Sequence, residues 1–187
     1  LDMAYQGFGY GLAEDGAVVG KFVAAGLDVF VSTSFSKSFS LYGERVGALS
    51  VVCASKDEAA RVLSQLKIMI RTNYSNPPIH GASIVARVLH TPELRALWEQ
   101  ELAEMRTRIK AMRRALVQGL KDAGVQQDMG FITDQIGMFS YSGLSKEQMV
   151  RLRGEFGVYG TDTGRMCVAA LNSKNIDYVC QSIAKVM

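Results

Sequence analysis

The run from Pro92 to about Asp122 constrains the fold most. Leu94, Leu97, Trp98, Leu102, Met105, Ile109, Met112, Leu116 and Leu120 recur at three- and four-residue steps, with one single step at Leu97-Trp98. That period predicts a single amphipathic helix. Its length is well above the usual, which predicts a spine joining two lobes. Thr91 stands as N-cap, Pro92 occupies the first helical position, and Gly124 marks the end. Met105 and Met112 fall on the apolar stripe. The charges of "EMRTRIKAMRR" read as a solvated face, with a partner-binding face as the alternative.

Shorter elements flank this helix. Before it, residues 12–25 carry a helical pattern weakened by glycines. "LDVFVSTSFS" reads as a buried strand, with Val29, Phe30 and Val31 in a continuous run, and "VGALSVVCAS" as another. "KDEAARVLSQLKIMIRT" is a helix with Asp57 and Glu58 in its first turn. "NYSNPPIHG" breaks it, and Pro77 or Pro78 can open the next helix, "PIHGASIVARVLH". After the long helix, "FITDQ", "GMFSYSG", "VYGTD" and "RMCVAAL" read as short strands. "LSKEQMVRLRGEFG" reads as a helix capped by Ser145, and "NSKNIDYVCQSIAKVM" as a closing helix. This order predicts an α/β fold.

A 48% hydrophobic, 21% charged composition belongs to a soluble globular chain. The net charge of +3, from basic residues mixed with acids, gives no case for nucleic acid. Cys53, Cys167 and Cys180 lack metal-ligand spacing, and the two histidines do not complete a zinc site with them. The cysteines read as reduced, mostly buried thiols of a cytoplasmic compartment. His80 and His90 read as structural. No apolar stretch is long enough for a transmembrane helix, and no signal peptide is visible. "LDMAYQGFGYG" starts inside an apparent strand without a methionine, so the expectation is a chain cut from something longer.

Lys37 sits in "SFSKSFSLYGERVGAL". A loop lysine is ordinarily solvated. Here it follows the exit of a strand, where α/β folds place ligands. Ser34, Ser36, Ser38 and Ser40 are small enough to let a ligand approach. A desolvated lysine amine can form a Schiff base with an aldehyde. Arg45 offers a planar fork that suits phosphate. Asp2 is either a strand-end cap or a carboxylate able to keep a pyridine nitrogen protonated. Tyr5 is either a half-buried aromatic or a hydrogen-bond donor to a ring oxygen. Lysine and arginine together describe pyridoxal 5'-phosphate, though the spacing alone does not decide it.

"DMAYQGF", "SFSKSFSLYGERVGALS", "IRTNYSNPPIHGA", "GMFSYSGLS" and "TGRMCVAALN" occur in order over essentially the whole chain. Together they resemble the C-terminal half of the aspartate/aromatic (tyrosine) aminotransferases, class I pyridoxal-phosphate enzymes of fold type I. The wording sits closer to the bacterial aromatic branch. The resemblance implies that Lys37 binds the cofactor and shuttles the substrate proton. It implies Asp2 at the pyridine nitrogen, Tyr5 at the ring oxygen, and Ser34 and Arg45 at the phosphate. It places Arg165 at the substrate α-carboxylate, Arg71 near the distal carboxylate and Phe139 beside the substrate side chain. Without it, Arg71 and Arg165 read as surface arginines.

The expected organisation is the C-terminal part of a large cofactor-binding domain with a mostly parallel sheet over 1–91, an inter-domain helix over 92–124 and a small α/β domain over 125–187. The expected activity is transamination of aromatic amino acids, with aspartate, using 2-oxoglutarate as acceptor, in a homodimer with shared active sites. An aspartate-preferring enzyme is one alternative and a non-catalytic fragment is the other. The family is longer at the N-terminus, and that part supplies a glycine-rich phosphate turn and a ring-stacking aromatic. The resemblance therefore implies weak cofactor binding by these residues alone. Asp162 near Arg165 departs from the family pattern, with weaker carboxylate binding as the expected consequence.

Overall fold

A computed structural model describes residues 1–187. They divide into two compact units, Leu1–Leu102 and Ala103–Met187. No helix is long and apolar enough to cross a membrane.

The first unit is built on a three-stranded sheet in the order β1 (Asp2–Met3), β2 (Phe30–Ser34), β3 (Gly47–Val51). β1 runs parallel to β2, with Asp2 beside Ser32, and β2 runs antiparallel to β3, with Ser34 beside Gly47. Helix α1 (Leu12–Ala24) lies between β1 and β2 in sequence. Helix α2 (Lys56–Asn73) starts at Ser55, whose hydroxyl accepts the Glu58 amide, and Glu58 returns a bond to the Ala54 amide. Helix α3 (His80–His90) begins two residues after Pro78, so neither proline is its first residue. The expected buried run in β2 is half right. Val29 and Val31 are buried, but Phe30 is 58% exposed and Leu49 54% exposed, because these neighbours share the other face of the sheet.

The long helix α4 (Pro92–Asp122) has 31 residues, and the boundary between the two units falls within it. In the second unit Ile109, Leu116 and Leu120 of α4 are buried. Met105 and Met112 are only half-buried; the fully buried methionines are Met129, Met149 and Met166. The segment "FITDQ" forms a helical turn, α5 (Phe131–Asp134), not a strand. Asp128 accepts the Gly130 amide and Thr133 donates back to the Gly130 carbonyl, local bonds that outweigh β-propensity. Strands β4 (Phe139–Tyr141) and β5 (Arg165–Cys167) form an antiparallel ribbon, with Tyr141 opposite Arg165. "VYGTD" forms no strand, and β5 passes into a 3-10 turn at Val168–Ala170. Helix α6 (Lys146–Phe156) opens with a reciprocal Ser145/Gln148 capping box and ends at Gly157 in the left-handed conformation. Helix α7 (Ile176–Val186) buries Val179, Cys180, Ile183 and Val186.

The cysteines are free, and only Cys180 is buried; Cys53 and Cys167 are half-buried. Burial, with Asp177 and Asp122 adding repulsion, pushes the Cys180 thiol up to about 11. His80 is exposed; His90 is exposed and its Nδ1 lies 2.7 Å from the Ala86 carbonyl one turn back in α3.

Two outcomes follow. Leu152 of α6 is fully buried, so Leu152→Ala should cost about 2–5 kcal/mol. Val150 on the same helix is 44% exposed, and Val150→Ala should stay within about 0.5 kcal/mol, both read by denaturant titration. At pH 7.5 a thiol reagent should modify Cys53 and Cys167 in the native protein and reach Cys180 only after unfolding.

Candidate active site

The carboxyl ends of β1 and β2 and the start of β3 meet at one end of the first unit's sheet. Asp2 stands in β1 and Tyr5 two residues beyond it. Ser34 ends β2, Lys37 follows three residues later, and Arg45 precedes β3 by two. Five candidates distant in sequence are thereby gathered at one sheet end, where parallel strands present ligand sites. Asp2, Ser32 and Ser34 project from the same face, as register partners and alternate residues must.

Lys37 is half-buried, and its Nζ lies 4.8 Å from the centre of the Tyr5 ring. The ring face attracts the ammonium and holds it at the sheet end. Ser34 Oγ accepts the Ser36 amide at 3.2 Å, folding the chain back as it leaves β2. Arg45 adopts the left-handed conformation, with φ 50°, uncommon for a residue with a side chain. Its guanidinium donates to the Tyr42 carbonyl at 2.7 Å.

Two further residues fix these groups: Asp15, which the sequence did not single out, and Trp98, which it placed only on the apolar stripe of the long helix. Asp15, in the first turn of α1, accepts the amides of Gly7, Gly9 and Tyr10 at 2.8–2.9 Å. Burial raises its pKa, but the bonds from Tyr10, Gly9, Gly7 and Gly11 outweigh burial and hold the carboxyl below the ordinary value of 3.8. The loop carrying Tyr5 is thereby tied to α1. It also passes close to α4: Gly7 has φ 93°, and a Cβ there would stand 2.5 Å from Leu102. Trp98, the only tryptophan, donates its indole N–H to the Ser38 carbonyl at 2.6 Å. Its ring stacks on Phe39 at 4.5 Å, so it braces the residues directly after Lys37.

Arg71 is not part of this cluster. It is exposed in the last turn of α2 and donates to Ser75 Oγ. In the second unit, Arg165 and Phe139 are brought together, with the guanidinium carbon 5.0 Å from the ring centre. Gly164, φ 86°, allows the approach to β5, since a Cβ there would stand 2.9 Å from the Leu144 carbonyl. Asp162 turns to Arg153, whose guanidinium lies 3.2 Å away, so it is paired on α6 rather than set against Arg165.

The basic face of α4 is not simply solvated. Arg113 is 2% exposed. Its guanidinium donates to Ser140 Oγ at 3.0 Å and to the Gly137 and Phe139 carbonyls at 2.7 Å each. Burial lowers its pKa from the ordinary value, yet guanidinium remains a cation at neutral pH. Arg108 donates to the Leu171 and Ala169 carbonyls at 2.8 and 2.7 Å. Spacing could not separate these two from the solvated arginines around them.

The family model described as Aminotransferase class I and II matches residues 1–183. The chain belongs to the class I and II aminotransferases. Aspartate aminotransferase of Pseudomonas aeruginosa is 62% identical over 187 residues, 100% of this chain and 47% of that protein. Aromatic-amino-acid aminotransferase of Escherichia coli is 53% identical over the same coverage. Among solved structures, an aromatic-amino-acid aminotransferase from Burkholderia pseudomallei, covalently bound to pyridoxal phosphate, superposes with TM-score 0.97. It shares 66% identity and covers 100% of this chain and 47% of that one. The chain spans about half the length of the relatives it matches. The α/β fold is that of the aminotransferase family.

Asp15→Ala should destabilise the protein at pH 7 by about 1–3 kcal/mol, since three amides lose a charged acceptor. The folded-state pKa is depressed, so this contribution is present above the unfolded value near 3.8 and fades as pH falls through the folded value. Stability curves of parent and variant should therefore converge below pH 4.

Proposed function

We propose that these residues carry the lysine-bearing part of a pyridoxal-phosphate-dependent aminotransferase. In this reading the enzyme moves the amino group of aromatic amino acids, and of aspartate, to 2-oxoglutarate. The observation that carries it is the Lys37 amine over the Tyr5 ring at the strand ends that also hold Asp2, Ser34 and Arg45.

The donor set fits the cofactor. A primary amine meets an aldehyde, a carboxylate meets a pyridinium, a phenol meets a ring oxygen, and a hydroxyl with a guanidinium meets a phosphate. Bound pyridoxal phosphate supplies an electron sink for the carbanion left when an amino acid loses its α-proton. Lys37 is the covalent anchor and carries the proton at the substrate α-carbon. Asp2 keeps a proton on the pyridine nitrogen. Tyr5 donates to the ring oxygen. Ser34 and Arg45 hold the phosphate. Arg165 binds the substrate α-carboxylate, Arg71 the distal carboxylate, and Phe139 packs beside the substrate side chain.

In the same reading, residues 1–91 complete a large cofactor-binding domain, 92–124 form the inter-domain helix and 125–187 the small domain. The enzyme acts in the cytoplasm as a homodimer with shared active sites. An aspartate-preferring enzyme is the second reading, favoured by the 62% identity to the Pseudomonas aeruginosa aspartate aminotransferase.

The test uses a full-length enzyme containing this chain. Titration with pyridoxal phosphate should give an absorbance band that Lys37→Ala abolishes; a band that persists in the variant overturns the role of Lys37. Assays of tyrosine, phenylalanine and aspartate, each with 2-oxoglutarate, should show turnover with all three. Turnover of aspartate alone favours the second reading, and turnover without an oxo-acid acceptor overturns both.

A further inference from the structure

Arg113 stands out among the second unit's side chains. It is a cation, 2% exposed, and none of its hydrogen-bond acceptors is a carboxylate. Burying a guanidinium is costly unless each N–H finds a well-placed acceptor. Two of its three acceptors are backbone carbonyls, Gly137 and Phe139, and the third is Ser140 Oγ; all belong to β4 or its approach. The buried charge therefore fixes one short strand.

That strand holds two features of the second unit's candidate site. Phe139 is the ring beneath the Arg165 guanidinium, and Tyr141 is the register partner of Arg165 across the ribbon. From the same helix, Arg108 holds the carbonyls of Ala169 and Leu171 just after β5, and the Ala169 amide donates to the Met138 carbonyl at 3.2 Å. The ribbon is thus held at β4 and at the turn that follows β5 by planar forks projecting from α4. Lysine cannot reproduce such a hold, because an ammonium is a point donor on a flexible stem.

We propose that Arg113 is a positioning residue for the substrate-carboxylate arginine: by fixing β4 it sets the Phe139 ring against which the Arg165 guanidinium lies. The inference rests on the reading of Arg165 as the carboxylate-binding group. A carboxylate bound by a guanidinium fork demands the fork's orientation, and a small displacement of its support weakens binding. The unit's hydrophobic core can persist while that orientation is lost.

The test uses the full-length, cofactor-loaded enzyme. Succinate, a dicarboxylate without an amino group, reports carboxylate binding without turnover. Arg113→Lys should weaken succinate on the order of tenfold by calorimetry and raise KM to a similar extent, with kcat within about threefold. The absorbance band dependent on Lys37 should keep its position and its pH titration. On an Arg165→Ala background, Arg113→Lys should add little further loss, as coupled residues do. Unchanged succinate affinity, a loss confined to kcat, or full additivity with Arg165→Ala overturns the proposal. If Arg165→Ala itself leaves succinate binding intact, the reading of Arg165 fails. If Arg165→Ala weakens binding and Arg113→Lys does not, only the present inference fails. Should Arg113→Lys not fold, Ser140→Ala removes a single acceptor; a smaller rise in KM at constant kcat supports the proposal, and an unchanged KM overturns it.

Discussion

The Leu1 carbonyl accepts the Ser32 amide at 2.9 Å, and this short parallel ladder places Asp2 and Met3 beside Ser32 and Thr33. The first unit's candidate site depends on that pairing. Register decides which face a side chain takes, and a slip of one residue would turn Asp2 away from Ser32 and Ser34. The antiparallel pairing of β2 with β3 then returns the chain, so that Arg45 arrives at the end where Lys37 leaves. Backbone geometry gathers the five groups, and side chains then refine their positions: Tyr5 beneath Lys37, Trp98 against Phe39 and the Ser38 carbonyl.

Charged side chains act in two different ways in this molecule. Arg95–Glu99, Arg151–Glu155 and Arg153–Asp162 are exposed ion pairs. Such pairs contribute little, because water screens them and side-chain entropy opposes them. Asp15, Arg108 and Arg113 instead bind backbone. Asp15 collects three amides; Arg113 and Arg108 collect two carbonyls each. A charge-assisted bond to a backbone group fixes the path of the chain itself. These three residues therefore shape the candidate sites although they lie outside the motifs.

What the sequence made legible follows from how local each signal is. The α4 helix was readable to its ends, since its period, Thr91-Pro92 start and glycine stop act within a few residues of one another. The α6 cap was readable for the same reason, through Ser145. The motifs named the candidate site residues through the resemblance, and the sheet brings the strand ends carrying Asp2, Tyr5, Ser34, Lys37 and Arg45 together. "FITDQ" and "VYGTD" misled because β-propensity describes residues that fit a pleated surface; the first closes a helical turn, and the second makes only a local bond to β5, from the Thr161 amide to the Arg165 carbonyl. Phe30 misled because burial of a strand face depends on what covers it, which a short apolar run does not encode. Arg113 was invisible because its acceptors lie more than twenty residues away and include backbone carbonyls, which carry no residue identity.

The Arg165 guanidinium carbon lies 5.0 Å from the centre of the Phe139 ring, so the cation is attracted to the ring face. A carboxylate binds a guanidinium fork edge-on and in plane. Asp162, three residues earlier, is turned to Arg153 and does not compete as an internal carboxylate. An arginine on α6 thus takes the Asp162 carboxylate, and the ribbon that carries Arg165 is supported by the bonds from Arg113 to β4 and from Arg108 to the turn after β5.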